Sequence, residues 1–466
     1  MKKIRYEQHD TIAAISTPIG SSAIGVIRMS GQKSLEIADR IFHPKTETPP
    51  SKAESFHALY GHIADPENGR MLDEVLLLVL KSPRTYTRED MIEIYGHGGA
   101  VSLREILGLL IRQGARLARP GEFTERAFLN GRIDLSQAEA VLDIIYAKTD
   151  ASLRCAVEQL RGALSDKVKK FRDELLDCLA HVEGAIDFPD EDIEVLNGRE
   201  LFERLTRLCR EMENLLETSS AGIIFREGLT TVIAGRPNVG KSSLLNALLR
   251  QNRAIVTPIA GTTRDAIEET ANIRGIPLRL VDTAGIQETD APVEAEGIRR
   301  SRSYLERADL ILLVLDGSEP ATHEDETLFH EIEDRPSLCV VNKKDLPQRL
   351  ELERLFKVKN GKTVVQVSAT TGDGMAHLEE AISQMVWQGK TAPSEGSLVT
   401  HLRHKESLKR SVDALRSAIE CLRHSAPPEI VAVDLREALE NLGEIVGEVF
   451  TEDLLDKIFS QFCIGK

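Results

Sequence analysis

The stretch TTVIAGRPNVGKSSLLNALL, Thr230 to Leu249, decides the fold. A β-branched apolar run leads into Gly235-Arg236-Pro237-Asn238-Val239-Gly240-Lys241-Ser242, and an apolar-periodic helix opens directly after it. This is the setting a phosphate-binding P-loop requires. The glycines let the backbone wrap a pyrophosphate with its N–H groups aimed inward at a helix N-terminus. Lys241 adds a point charge for the β- and γ-phosphates, and the Ser242 hydroxyl is placed for Mg²⁺. The blander meaning, a glycine turn between strand and helix, is disfavoured because both flanking elements have the required pattern.

Further stretches fix the nucleotide. Asp282-Thr283-Ala284-Gly285 ends an apolar strand, so Asp282 can hold Mg²⁺ through water while the Gly285 N–H faces a γ-phosphate. Asn342-Lys343-Lys344-Asp345 ends the strand Leu338 to Val341. The Asp345 carboxylate would accept from guanine N1–H and its exocyclic amine, a donor pair adenine lacks. Thr262 and Thr263 sit in the loop IAGTTRD with a hydroxyl for Mg²⁺, and Ser368-Ala369-Thr370 follows the strand Val364 to Val367 and would close over the base. Any one of these could be a capped strand end, but in this order they point to a GTPase. After Asp282-Thr283-Ala284-Gly285 comes Ile286, where Ras-like proteins keep a water-orienting glutamine. An aliphatic side chain cannot polarise water, and spacing leaves Glu288, Asp290, Glu294 and Glu296 all open as replacements.

The chain has 466 residues, enough for roughly two to four domains. No apolar run reaches membrane-spanning length, and the start MKKIRYEQHD lacks an apolar signal core, so a soluble cytoplasmic protein is expected. The six cysteines are scattered without metal-ligand spacing, so neither zinc nor a disulfide is expected. A formal net charge of -15 argues against bulk nucleic-acid binding and leaves a local basic patch open.

Taken in order, residues 1–120 alternate β-rich runs (Thr11 to Ser16, Ala23 to Met29, Glu74 to Leu80, Met91 to Tyr95) with helical patterns at Ser34 to Ile41 and Val101 to Gln113, which reads as a compact α+β domain. The polar, proline-rich stretch Pro44 to Ala53 reads as a loose loop. Residues 121–221 are helical in pattern (Phe123 to Asn130, Leu135 to Ile186, Gly198 to Ser219), interrupted by the acidic turn Asp187-Phe188-Pro189-Asp190-Glu191-Asp192. Residues 222–386 form the P-loop domain, a doubly wound α/β fold. After the Gly/Pro/Ser-bearing stretch QGKTAPSEGS, helical patterning resumes over 387–466. The GTPase domain is thus read as inserted into a discontinuous helical bundle whose halves meet. The cations Arg403, Lys405, Lys409, Arg410, Arg416 and Arg423 are either a patch for RNA phosphates or a solvated helix face, the commoner meaning.

With the P-loop, IAGTTRD, GHGG at Gly96 to Gly99, RPGEFTERAFLNGRIDL at Arg119 to Leu135, DFPDED and the terminal FCIGK in hand, the chain resembles the MnmE (TrmE) family of tRNA-modification GTPases. The resemblance implies a cytoplasmic homodimer with an N-terminal domain similar to tetrahydrofolate-binding domains of aminomethyltransferases. It also implies a heterotetramer with the FAD-containing partner MnmG (GidA), which installs an aminomethyl-type group on C5 of the wobble uridine of certain tRNAs. Carried onto this chain, the family's folate residues are Arg28, Glu93, Arg132 and Lys466. Arg132 is often lysine in the family, which keeps the charge and changes the geometry. Cys463 matches the family's terminal cysteine, linked to modification. Lys466 is the only cation near it in sequence that could raise its thiolate fraction.

For the nucleotide, the resemblance implies GTP contacts from Asn238, Val239, Gly240, Lys241, Ser242 and Ser243, from Thr257, Pro258, Ile259, Ala260, Gly261, Thr262 and Thr263, from Asp282 to Gly285, from Asn342 to Asp345 and from Ser368 to Thr370. Mg²⁺ falls to Ser242 and Thr263. It further implies a K⁺ ion on Asn238, Thr257, Ile259 and Thr262, and it singles out Glu294 as the water-orienting carboxylate. A GTPase switch or ribosome-assembly factor without modification chemistry is the alternative, and a folate-binding N-terminal domain separates the two.

Overall fold

The computed structural model describes residues 10–187, 198–252, 269–282, 304–351, 363–387 and 399–466. Contacts divide the chain into two compact units, one made of the residues up to Leu142 with Leu442–Lys466, the other of Asp143–Asn441.

The second unit is built on a six-stranded sheet of β8 (Leu229–Ala234), β9 (Glu269–Ile273), β10 (Ile276–Asp282), β11 (Leu310–Asp316), β12 (Ser337–Asn342) and β13 (Val364–Gln366). Its order is β13-β12-β11-β8-β10-β9, parallel throughout except for the β9–β10 hairpin. The run LILLVLD of β11 is continuously apolar because both faces of the sheet are covered. Leu310, Leu312 and Val314 enter one core with Ile233, Leu244 and Leu248, whereas Ile311, Leu313 and Leu315 enter another with Phe329 and Ile332. Strand order reverses beside β8, and that crevice at the C-terminal strand ends is where ligands of such sheets bind.

The helical pattern that begins at Leu135 resolves into shorter helices. Between Leu135 and Asp187 the chain forms separate helices, Leu135–Tyr146, Asp150–Leu160 and Ala163–Asp187. Thr149 ends the continuity by capping the second helix in a capping box with Ser152, and Gly162, at φ 97°, turns the chain before the third. The acidic stretch after Asp187 and the stretch QGKTAPSEGS lie outside the described residues. Helical segments from both sides of the sheet meet: Leu402–Arg423 packs along Gly198–Glu217, and Arg416 pairs with Glu213 at 2.8 Å.

The first unit holds a seven-stranded sheet of β1 (Ile12–Ile15), β2 (Ser22–Ser30), β3 (Phe42–Pro44), β4 (His57–Ala64), β5 (Met71–Leu80), β6 (Met91–Gly98) and β7 (Arg116–Leu117), ordered β3-β4-β5-β6-β2-β1-β7. Helices Ser34–Ile41 and Ala100–Arg112 cover one face through Ile37, Ile41, Leu103 and Ile106, which meet Ile27, Leu77, Ile92 and Ile94. The alternation in β6 therefore turns Glu93, Tyr95 and His97 to the other face. Pro44 to Ala53, read as a loose loop, instead carries a 3₁₀ turn with Pro50 and Ala53 buried and the Ser51 carbonyl accepting from Lys81 Nζ at 2.9 Å.

The motif RPGEFTER is an ion-pair lattice around one buried carboxylate. Glu122, 2% exposed, accepts from Arg116 at 2.7 and 3.1 Å, from Arg126 at 3.1 Å and from the Arg119 N–H at 2.8 Å. Burial alone would raise this carboxyl; the Arg116 bonds, the Arg119 N–H and the Arg126 charge outweigh it and hold it at about 2. A folded-state value below the unfolded one means the stabilisation is full above the ordinary 4.5 and is lost as pH falls toward 2. Glu122→Gln should cost about 3 kcal/mol at neutral pH and flatten the acid limb of stability in that window. Thermal unfolding followed against pH checks this, and an unchanged acid limb would contradict it.

Candidate nucleotide site and N-terminal site

Leaving β8, the chain enters a left-handed backbone at Asn238, φ 64°, and at Gly240, φ 98°, before the helix Lys241–Asn252 begins. Lys241 is buried and its Nζ donates to the carbonyls of Gly235 at 2.7 Å and Arg236 at 2.9 Å, so the ammonium is folded across its own loop. Ser242 and Ser243 are exposed in the first turn of that helix. Val239 is fully buried and anchors the loop beneath.

Asn342 is the tie between this loop and the loop that follows β13. Its side chain, 3% exposed, donates from Nδ2 to the Val239 carbonyl at 2.9 Å and accepts at Oδ1 from the Ala369 N–H at 3.0 Å. Lys343, at φ 64°, reaches Asp316 Oδ2 at 2.6 Å. Burial would raise the Asp316 carboxyl, but Lys343 and two hydrogen bonds from Ser318 hold it below the usual range. Lys344 pairs with Asp373 at 2.9 Å, and buried Ser368 accepts the Thr371 N–H at 3.2 Å. Asp345 and Thr370 are exposed at the rim. Asp282 ends β10, in register with Ile233 of β8. Thr257, Pro258, Ile259, Ala260, Gly261, Thr262, Thr263, Thr283, Ala284, Gly285 and Glu294 lie outside the described residues. Asp316 was not among the expected residues, although its position at the end of an apolar strand, like Asn342, carries the signal.

In the N-terminal unit, Arg28 and Glu93 are paired across the β2–β6 register rather than standing as single strand charges. Arg28 Nε and Nη2 lie 2.9 and 2.8 Å from Glu93 Oε1, and Tyr95 donates to Oε2 at 2.6 Å. The Arg28 guanidinium lies 5.5 Å from the Tyr86 ring centroid and 5.7 Å from that of Phe123, and Arg132 stands 4.7 Å from Tyr86, all cation–π distances. The chain end returns to the same place. Ile464 bridges Pro120, the Lys466 carbonyl accepts the Phe123 N–H at 3.2 Å, and the Gly465 carbonyl accepts from Ser16 Oγ at 3.2 Å. Burial, then the nearby Arg28, lowers the Lys466 ammonium, while Glu93 and Cys463 pull it the other way. Cys463 is exposed and Phe462 buried beside Phe459. A cavity of 430 Å³ lined by Tyr86, Arg88, Arg132, Phe56 and Leu80 adjoins Arg132. Tyr86, Tyr95 and Phe123 were not expected here; nothing in a lone aromatic marks it until the sheet supplies its neighbours.

A P-loop at the strand-order reversal, tied by one asparagine to the loop after β13, defines a P-loop nucleotide-binding protein. A family model described as the MnmE helical domain matches residues 135–463, and one described as the GTP-binding protein TrmE N-terminus matches residues 11–132. The tRNA modification GTPase MnmE of Geobacillus kaustophilus (strain HTA426) is 49% identical over 460 residues, covering 98% of this chain and 100% of that one. The protein of the same name from Bacillus subtilis (strain 168) is 50% identical over 459 residues, with the same coverage. Among solved structures, the G domain of the T. maritima FeoB iron transporter is 27% identical, covering 34% of this chain and 98% of that one at a TM-score of 0.26. The chain belongs to the MnmE family of tRNA modification GTPases.

Asp345→Asn should weaken GTP binding and favour xanthosine triphosphate, whose O2 can accept from the new amide. Calorimetry with both nucleotides checks this, and equal GTP affinity in the variant would remove Asp345 from the site.

Proposed function

We propose that the chain hydrolyses GTP to drive the addition of an aminomethyl-type group, carboxymethylaminomethyl, to C5 of the wobble uridine of certain tRNAs. In this reading it works as a cytoplasmic homodimer with the FAD-containing MnmG (GidA). The observation that supports the reading best is the return of the tail to this sheet: the Lys466 carbonyl accepts the N–H of Phe123, whose ring faces the Arg28 guanidinium of the Arg28–Glu93 pair. A tetrahydrofolate derivative, 5-formyl or methylene, supplies the one-carbon unit when bound. The residues present suit it: Arg28, Arg132 and Lys466 complement carboxylates of the tail, Glu93 accepts from pterin donors, and the Tyr86 ring offers a stacking surface. Cys463, exposed in the same tail three residues before Lys466, is the thiol this reading assigns to catalysis.

On the nucleotide side, Asp345 selects guanine, Lys241 faces the β- and γ-phosphates, and Ser242 with Thr263 holds Mg²⁺. Asn238, with Thr257, Ile259 and Thr262, is the K⁺ site of this reading, and K⁺ supplies positive charge beside the phosphates. The left-handed backbone at Asn238 suits a residue that turns its side chain to such a role. Glu294 orients the attacking water. The homodimer is supported by one row across the open face of the N-terminal sheet, Tyr60, Leu76, Tyr95 and Val26, in which Tyr60 and Leu76 are 51% and 49% exposed. The four-segment division, 1–120, 121–221, 222–386 and 387–466, remains part of this proposal.

Equilibrium dialysis of the full chain against 5-formyl-tetrahydrofolate should show binding that Arg28→Ala weakens at least about tenfold, the scale of losing a charge-assisted contact; equal binding by wild type and variant contradicts the folate assignment. GTP hydrolysis should run faster in K⁺ than in Na⁺ at matched ionic strength, and Glu294→Ala should keep GTP affinity while losing turnover. Equal rates in the two salts, or a fully active Glu294→Ala, refute this part of the mechanism.

A further inference from the structure

In the Asp143–Asn441 unit, one buried carboxylate holds both places where the chain passes between the helices and the nucleotide-binding sheet. Asp143, in the helix Leu135–Tyr146, is 9% exposed at its side chain. Its Oδ1 accepts from Arg226 Nε at 2.7 Å, and its Oδ2 lies 2.7 Å from His401 Nε2. Arg226 stands in the last turn of the helix Ser219–Glu227, and only Gly228 separates that helix from β8, the strand that runs directly into the P-loop. His401 is the N-cap of the helix Leu402–Arg423, by which the chain rejoins the helices on the far side of the sheet residues.

The surrounding contacts make these two crossings one assembly. Thr400 Oγ1 donates to Gln159 Oε1 at 2.7 Å, the Val399 N–H donates to Thr218 Oγ1 at 3.3 Å, and the His401 ring lies 4.9 Å from that of His404. Phe225 and Trp387, one residue from each side, approach to 5.3 Å between ring centroids. Away from the crossings, Thr149 Oγ1 donates to the Gly275 carbonyl in the β9–β10 turn at 3.1 Å, and Ala151 and Cys155 enter the same core as Ile273 and Ile276. Burial would raise the Asp143 carboxyl, but the His401 hydrogen bond and the charges of His401 and Arg226 bring it below its ordinary range. Removing one partner from a buried charge leaves the other without compensation, so the three residues act as a unit.

The helix Ser219–Glu227 packs on β10 and joins β8 through Gly228 alone, so a rotation of the sheet that carries this helix with it separates Arg226 from Asp143. We propose that Asp143 is a positioning residue that locks the crossings together, so that movement at the nucleotide site is passed to the helices instead of being absorbed at a loose hinge. Asp143 lies in the helix Leu135–Tyr146, outside the P-loop and the loop after β12, so GTP affinity should survive its replacement. The coupling half of this inference rests on the proposed modification function; the locking half does not.

The test uses the full chain with spin labels on noncanonical residues at His323, beside the sheet, and Arg199, on the helix Gly198–Glu217, both exposed. Asp143→Asn and the milder Arg226→Lys should each broaden the label–label distance distribution, with Asp143→Glu restoring part of its width. GTP affinity and hydrolysis should stay within about twofold, while tRNA modification falls about tenfold, the usual range of a coupling between sites. Circular dichroism identifies any variant that fails to fold, and Arg226→Lys then carries the test. A distribution as narrow as wild type in folded variants overturns the lock. A broadened distribution with modification intact overturns the coupling, and absent modification by the wild type condemns the functional reading while the label distances still judge the lock.

Discussion

The nucleotide site depends on a single side-chain amide. Asn342 is buried at the end of β12, and its two polar atoms join the carbonyl of Val239 in the P-loop to the N–H of Ala369 in the base-side loop. An unpaired buried amide costs about 1–3 kcal/mol, so the arrangement is self-enforcing. Gly240 packs against this same amide, in a left-handed conformation where a side chain would collide with it. The apolar faces of β8, β11 and β12 hold the strand ends that carry these loops, which links the hydrophobic pattern of the sequence to the chemistry at the rim.

The N-terminal unit is organised by a different constraint, the return of the chain end. Pro120 and Phe123 bind the last residues through backbone groups, and the left-handed Gly465 sits against the Ile15 carbonyl, where a side chain has no room. This docking brings Lys466 toward the Arg28–Glu93 pair, which lies far away in sequence. The buried lattice around Glu122 fixes the helix Glu122–Leu129 that receives the tail.

The P-loop, the helix Ser34–Ile41 and the strands β8, β10, β12 and β13 could be read from the sequence because local rules decide them: glycine placement, periodicity and continuous apolar runs. The positions of Asn342 and Ser368 just at or after strand ends could be read because apolar runs lead into them. The strand His57–Ala64 was missed, as its apolar positions are diluted by histidines and a glycine that tolerate solvent on one face. The breaks at Thr149 and Gly162 are side-chain and backbone choices that helical periodicity does not register. The pairing of Arg28 with Glu93 across 65 residues follows from strand register, and Tyr86 and Phe123 reach it from a loop and a helix, long-range placements that a single sequence does not specify. Here the family resemblance singled out residues for which local physics offered only exposed strand charges.

The claim that matters most is that the GTP site and the N-terminal site serve one reaction on tRNA. Mass spectrometry of tRNA nucleosides from a strain lacking this protein, complemented with wild type, Asn342→Ala or Cys463→Ser, tests it directly. The account predicts loss of the C5-modified wobble uridine in the deletion strain, recovery with wild type, and failure of both variants, although Cys463→Ser still hydrolyses GTP. Persistence of the modified nucleoside in the deletion strain, or its full recovery with either variant, would contradict it.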